Sequence, residues 1–169
     1  MTKLLLATEA IASGEVSRRQ LARQYTMLHR NVYHRNGVEL TAVDRAHAAW
    51  LWSGRRATVA GLSAAALLGS KWVPAAAPAE LIRVHHKAPP GIVVHKDDVA
   101  DDEIRRIGAI SCTTVARTAF DIGRWRSFEQ GLIRVDALLT RQGLRWPRLR
   151  NWPRGIRAPA TSADSAAFL

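Results

Sequence analysis

The sequence predicts an α+β protein: a small N-terminal unit of helices and strands, a mixed α/β middle, and a basic tail. Three observations predict it. Two short helix patterns joined by a three-residue link open the chain after Thr8, and a strand pattern follows them. Helical and β-branched segments then alternate as far as Gln142. Beyond Gln142 both periods stop, and Arg, Trp, Pro and Gly take over.

Each element has its own signal. Residues 8–14 read as a helix that Thr8 can cap and Gly14 can end in a left-handed turn. Ser17 is the N-cap of a second helix reaching Tyr25. Residues 27–34 alternate as a strand, and Asn36-Gly37 is a turn dipeptide, so this stretch suits a wing, a strand pair beside the helices. Leu40-Thr41 opens a longer helix, residues 42–52, with Val43, Ala46, Trp50 and Leu51 at helical spacing and Ser53-Gly54 at its end. Residues 56–60 are strand-like, 62–68 form a short Ala-rich helix, and 72–78 form a loop. Residues 80–85 and 91–95 are neighbouring strands split by Pro89-Pro90-Gly91, and 107–113 is a third. Residues 113–123 read as a capped helix ending at its glycine. Residues 128–140 form another, with Leu132, Val135, Leu138 and Leu139 on its apolar side. The resulting organisation is a winged helix-turn-helix unit at 1–38, an α/β domain at 39–142 and a basic, poorly ordered tail at 143–169.

Composition narrows the function. An apolar fraction of 47% over 169 residues excludes wholesale disorder. One cysteine excludes a disulfide framework and a Cys-rich zinc site. No apolar run reaches the ~18–20 residues of a membrane span. Glu9 interrupts the apolar N-terminal patch, so no signal peptide is read and the expected location is the cytoplasm. The net charge is +11 and the pI about 11.3, which points to a polyanionic partner, nucleic acid first. Residues 1–123 hold 16 Lys/Arg against 11 Asp/Glu, and residues 124–169 hold 9 Arg against 3 acids. Arg18, Arg19, Arg23, Arg30 and Arg35 fall in a stretch with no acid, whereas Asp97, Asp98, Asp101, Asp102 and Glu103 cluster in the middle.

The candidate site is the second helix. At 100° per residue Ser17, Leu21 and Tyr25 share one side, and Arg19 and Arg23 fall opposite. Arg18, Gln20 and Ala22 flank them. Arg suits guanine as a bidentate partner and Gln suits adenine, so this face fits base edges in a major groove. The backbone at Ser17 and the helix start suit a phosphate, and Arg30 and Arg35 on the wing suit the DNA backbone. The bland alternative is a solvated basic face on an ordinary helical hairpin.

Other polar residues carry weaker signals. His85, His86 and His95 with Asp97 or Asp98 are more simply surface residues than metal ligands, and no metal or cofactor is expected. His29 and His34 are expected to meet solvent or phosphate. Cys112 reads as a small buried residue, the 97–103 run as a solvated acidic turn, with docking on the basic N-terminal unit as the alternative, and Trp50, Trp52 and Trp72 as core or domain-interface residues. Trp125, Trp146 and Trp152 alternate with Arg in a manner that suits base stacking, although disorder is the simpler reading there.

The order of several segments resembles the AbiEi-type antitoxin and transcriptional-regulator family, in the form common in actinobacteria. These are Thr8-Glu-Ala-Ile-Ala-Ser-Gly14, Val16-Ser-Arg-Arg-Gln-Leu21, Asn31-Val-Tyr33 and Leu40-Thr-Ala-Val-Asp-Arg-Ala-His-Ala-Ala-Trp50, then Ala60-Gly-Leu-Ser-Ala-Ala-Ala-Leu-Leu-Gly69 and Cys112-Thr-Thr-Val-Ala-Arg-Thr-Ala-Phe-Asp121. The resemblance covers roughly residues 5–140. It implies an N-terminal winged helix-turn-helix on double-stranded DNA and an α/β antitoxin-like domain. It further implies repression of the protein's own operon and neutralisation of a cognate, nucleotidyltransferase-like toxin. Many longer relatives add a domain similar to very-short-patch-repair endonucleases. Its carboxylate pattern is missing here, because Glu129, Asp136 and Asp164 fit no metal-binding spacing. The expectation is therefore a regulator and not an enzyme. A truncated or inactive endonuclease relative and a non-specific nucleic-acid binder stand as alternatives.

Overall fold

The computed structural model describes residues 4–84 and 87–144 and is mixed α+β, with six α-helices and two sheets among them. Strand β1 (Leu4–Leu6) runs directly into helix α1 (Ala7–Ala12), which ends in a turn with Gly14 at φ +75°. Helix α2 (Arg18–Gln24) follows and passes straight into β2 (Tyr25–His29) and β3 (Val32–Arg35). The strands form an antiparallel sheet in the order β1-β3-β2. Leu5, Ala7, Ala10, Val16 and Leu21 make a small core against it, with Ile11, Tyr25 and Tyr33 at its edge.

Three expectations are corrected here. The single strand across 27–34 is a hairpin that turns at Asn31, which takes φ +69°, a conformation Asn tolerates better than most residues. That turn also serves α1. The Asn31 carbonyl accepts from Ala7 N at 2.9 Å, its Oδ1 accepts from Thr8 N at 3.0 Å, and its Nδ2 donates to Thr8 Oγ1 at 2.9 Å. Asn31, rather than Thr8, therefore caps the helix. Finally, an irregularity between Met27 and His29 shifts the register, so Met27 is 58% exposed while His29, two residues on, is 6% exposed. His29 is thus buried and not at the surface. Its ring is held below the usual histidine pKa by burial first and by the nearby Arg45 charge second.

Helix α3 (Ala42–Trp52) has the bounds its sequence predicts, with Thr41 and Asp44 forming a reciprocal capping box. It lies between the two sheets, against β1, β2 and β3 on one side and against β4 (Thr58–Val59), β5 (Ala79–Ile82) and α4 (Gly61–Leu67) on the other. That position explains why Ala46, Ala48 and Ala49 are buried with Trp50 and Leu51, while Val43, expected on the apolar face, is exposed. The second sheet has the order β6-β5-β4-β8-β7, with β6 (Ile92–His95), β7 (Ile104–Ile107) and β8 (Ile110–Thr113). Pairs β5–β6 and β4–β8 are parallel. The strand expected at 107–113 is in fact the β7–β8 hairpin, turning at Gly108 with φ +58°. One apolar core runs from Val32 through the alanines of α3 to Val59, Leu81 and Cys112, so the N-terminal unit and the second sheet share packing.

Helices α5 (Val115–Trp125) and α6 (Phe128–Arg141) pack with α4 around Leu62, Ile122, Leu138 and Leu139. Gly123 does not end α5. It lies inside the helix where α6 approaches closely: a Cβ on Gly131 would sit 3.5 Å from the Gly123 Cα. Leu132, expected inside, is exposed together with Phe128 and Ile133, and Trp72 is exposed as well. The tail at 145–169, with Trp146 and Trp152, lies outside the described residues, as do His85 and His86.

Candidate nucleic-acid interface

Helix α2 owes its start to Ser17. The Ser17 Oγ accepts from Gln20 N at 3.2 Å and donates to Gln20 Oε1 at 2.8 Å, and the same Oε1 accepts from Ser17 N at 2.9 Å. This is a capping box. Leu21 is the helix's buried anchor. Arg18, Arg19, Gln20, Ala22 and Arg23 are all exposed. Arg19 and Arg23 straddle the direction opposite Leu21, as the wheel predicts.

The hairpin base is fastened to the end of α2 by Asn36. Its N donates to Gln24 O at 2.8 Å, its Nδ2 donates to Arg23 O at 3.1 Å, and its Oδ1 accepts from Thr26 Oγ1 at 2.7 Å. Arg35, paired in register with Tyr25, therefore stands beside the α2 C-terminus. Arg30 does not. It occupies the turn at the other end of the hairpin, next to the start of α1. The structure thus keeps Arg18, Arg19, Arg23 and Arg35 around α2 and separates Arg30 from them. Ser17 and Gln20 are engaged with each other. The S-x-x-Q spacing at 17–20 carried that signal in the sequence. The Asn36 clamp had none beyond the turn dipeptide.

Two further polar clusters lie elsewhere. Arg117, 4% exposed, is gripped by Asp97, by Glu103 at 2.5 Å and by Asp121 at 3.0 Å, and donates to the Asp98 carbonyl at 3.1 Å. Arg124 joins through Asp97 and Asp121. The acidic turn is therefore not simply solvated: Asp97 and Glu103 fasten it to α5, while Asp98, Asp101 and Asp102 remain exposed. Burial works against the charge on Arg117, and the Asp121 and Glu103 carboxylates outweigh it and raise its pKa. The other cluster surrounds Glu80, which is 3% exposed. It pairs with Arg126 and faces His95 Nε2 at 3.5 Å, and His95 stacks on Trp125 with ring centroids 3.4 Å apart. Trp125 thus belongs to this cluster rather than to a base-stacking tail.

Cys112 is fully buried, and burial pushes its thiol up to about 11, which leaves it unreactive as a nucleophile at neutral pH. Among the described residues no group of three or more His, Cys, Asp or Glu side chains is placed to hold a metal. No described helix is long and apolar enough to cross a membrane. A scan against family models, a search of curated proteins and a search of solved structures each gave no match.

Proposed function

We propose that this protein is a DNA-binding transcriptional regulator of antitoxin type, with α2 as the recognition helix of a winged helix-turn-helix in the major groove. The observation that carries the reading is the pairing of Arg19 and Arg23 opposite the buried Leu21, on a capped helix whose surroundings from Val16 to Arg35 contain no acid. The connection from α1 through a glycine turn into α2, followed by a β-hairpin in a β1-β3-β2 sheet, supports the winged form. The wing is short, and Arg35 rather than Arg30 is the wing arginine that accompanies α2 onto the DNA backbone. The family resemblance supports the rest of the proposal: repression of the protein's own operon, and a cognate toxin as the partner of the 39–142 region.

The test is a gel shift on the DNA just upstream of the protein's own reading frame, against a scrambled duplex of equal length at physiological salt. Preferential retardation of the upstream duplex is the expected result. Equal, weak retardation of both duplexes overturns the proposal in favour of a generic polyanion patch. Deleting residues 143–169 is expected to weaken binding only in part; complete loss would favour the tail as the binder.

A further inference from the structure

The outward face of α2 offers hydrogen-bond donors and no free acceptor. Arg19 and Arg23 are donor-only guanidiniums. Gln20 would ordinarily present both a carbonyl acceptor and an amide donor, the pair that recognises adenine. Its Oε1 is already occupied by Ser17 N at 2.9 Å and by Ser17 Oγ at 2.8 Å. Only its Nε2 donors remain. The Ser17 hydroxyl donates to Gln20 Oε1 and accepts from Gln20 N, and it lies on the Leu21 side of the helix, away from the outward direction. Ala22 contributes a methyl group. Gln24 keeps a free amide and Arg18 a guanidinium, but both lie about 120° round the helix from the outward direction.

Base edges differ in what such a surface can read. In the major groove guanine presents two acceptors, N7 and O6, to one bidentate donor. Adenine presents one acceptor and one donor, and cytosine presents a donor. A donor-only face leaves the amino groups of adenine and cytosine without a partner; thymine offers it one acceptor, O4, and guanine alone offers the two acceptors that a bidentate guanidinium takes. Arg19 and Arg23 are four residues apart, or about 6 Å along the helix axis at 1.5 Å per residue. For a helix lying along the groove that spans about two base-pair steps.

Resting on the regulator reading above, we infer that α2 specifies a guanine-containing site, with two guanines within about two base pairs read by Arg19 and Arg23, and that Gln20 is a positioning residue for the helix start rather than an adenine reader. The experiment is selection by the full chain from a duplex pool with a randomised core of about two helical turns, at physiological salt. The selected duplexes are then remade with 7-deazaguanine, which lacks the N7 acceptor. The expected result is enrichment of two nearby guanines and a weakening of about tenfold or more for each 7-deazaguanine placed there. Enrichment of sites whose specified bases are adenine or thymine, or of guanines indifferent to 7-deazaguanine, overturns the inference while DNA recognition stands. Binding with no base preference, or no binding at all, overturns the inference together with the reading on which it rests.

Discussion

Gly61 is the residue whose replacement tests the packing of this fold most sharply. It opens α4 with φ +53°, in the left-handed region. A Cβ built on it would lie 2.1 Å from Glu80 Oε2, 2.9 Å from Glu80 Cδ and 3.1 Å from the Trp125 ring. Gly61→Ala therefore does two things. It places a Cβ where the left-handed backbone costs about 1–2 kcal/mol. It also drives out a carboxylate that is 3% exposed and paired with Arg126. Disrupting a buried pair costs about 3–5 kcal/mol when one charge is left stranded. Partial relaxation of Glu80 lowers that figure, so a total loss of about 3 kcal/mol or more is expected, a large share of the ~5–15 kcal/mol of a typical domain. Urea unfolding followed by tryptophan fluorescence reads it, since Trp125 stacks on His95 beside the same carboxylate. In a Glu80→Ala background the cost of Gly61→Ala is expected to shrink toward the backbone term alone. A loss below about 1 kcal/mol in the wild-type background, or no coupling to Glu80, would refute the reasoning.

Two further outcomes follow from the same geometry. Ser17→Ala removes both hydroxyl contacts of the α2 capping box and is expected to cost about 1 kcal/mol by urea unfolding; an unchanged midpoint would mean the cap does not stabilise the helix. The folded-state pKa of His29 lies below its unfolded value, and so does that of His47, where burial dominates, Asp44 opposes it and Arg55 adds to it. The unfolded chain then takes up protons first, so stability is intact above about pH 6.5 and falls as the pH drops through the lowered values, by at most about 1.4 kcal/mol per pH unit for each proton. Replacing both rings with Gln should flatten that acid slope, and an unchanged slope would assign it to other groups.

The local parts of this fold were legible because their signals are local. Ser17 as the cap of α2, the bounds of α3 and the glycine turn after α1 were read from adjacent residues, whereas the Gln20 and Asp44 halves of the two capping boxes carried a spacing signal that was passed over. The two missed hairpins turn at Asn31 and Gly108, inside runs whose β pattern continues through the turn, so alternation alone could not break them. His29 was misplaced because a register shift reversed the alternation just before it. The Arg117 network joins residues 14 and 20 positions apart, across a turn and two strands. Its one local trace was the Arg117–Asp121 spacing on a helix face that otherwise reads as apolar. For the candidate site the exposed arginines were legible in sequence, whereas the separation of Arg30 from α2 depends on which end of the hairpin turns.

The central claim is that α2 reads DNA, and a comparison of two charge-matched variants tests it most directly. Arg19→Ala/Arg23→Ala and Arg105→Ala/Arg106→Ala each remove two exposed positive charges, the first pair from α2 and the second from the edge strand β7. Affinity for the upstream duplex and for its scrambled counterpart is measured for both at physiological salt. The account predicts that the α2 variant loses about 1–3 kcal/mol per arginine on the upstream duplex and with it the preference over the scrambled one, while the β7 variant keeps that preference. Equal losses for the two variants, or an undiminished preference in the α2 variant, would contradict it.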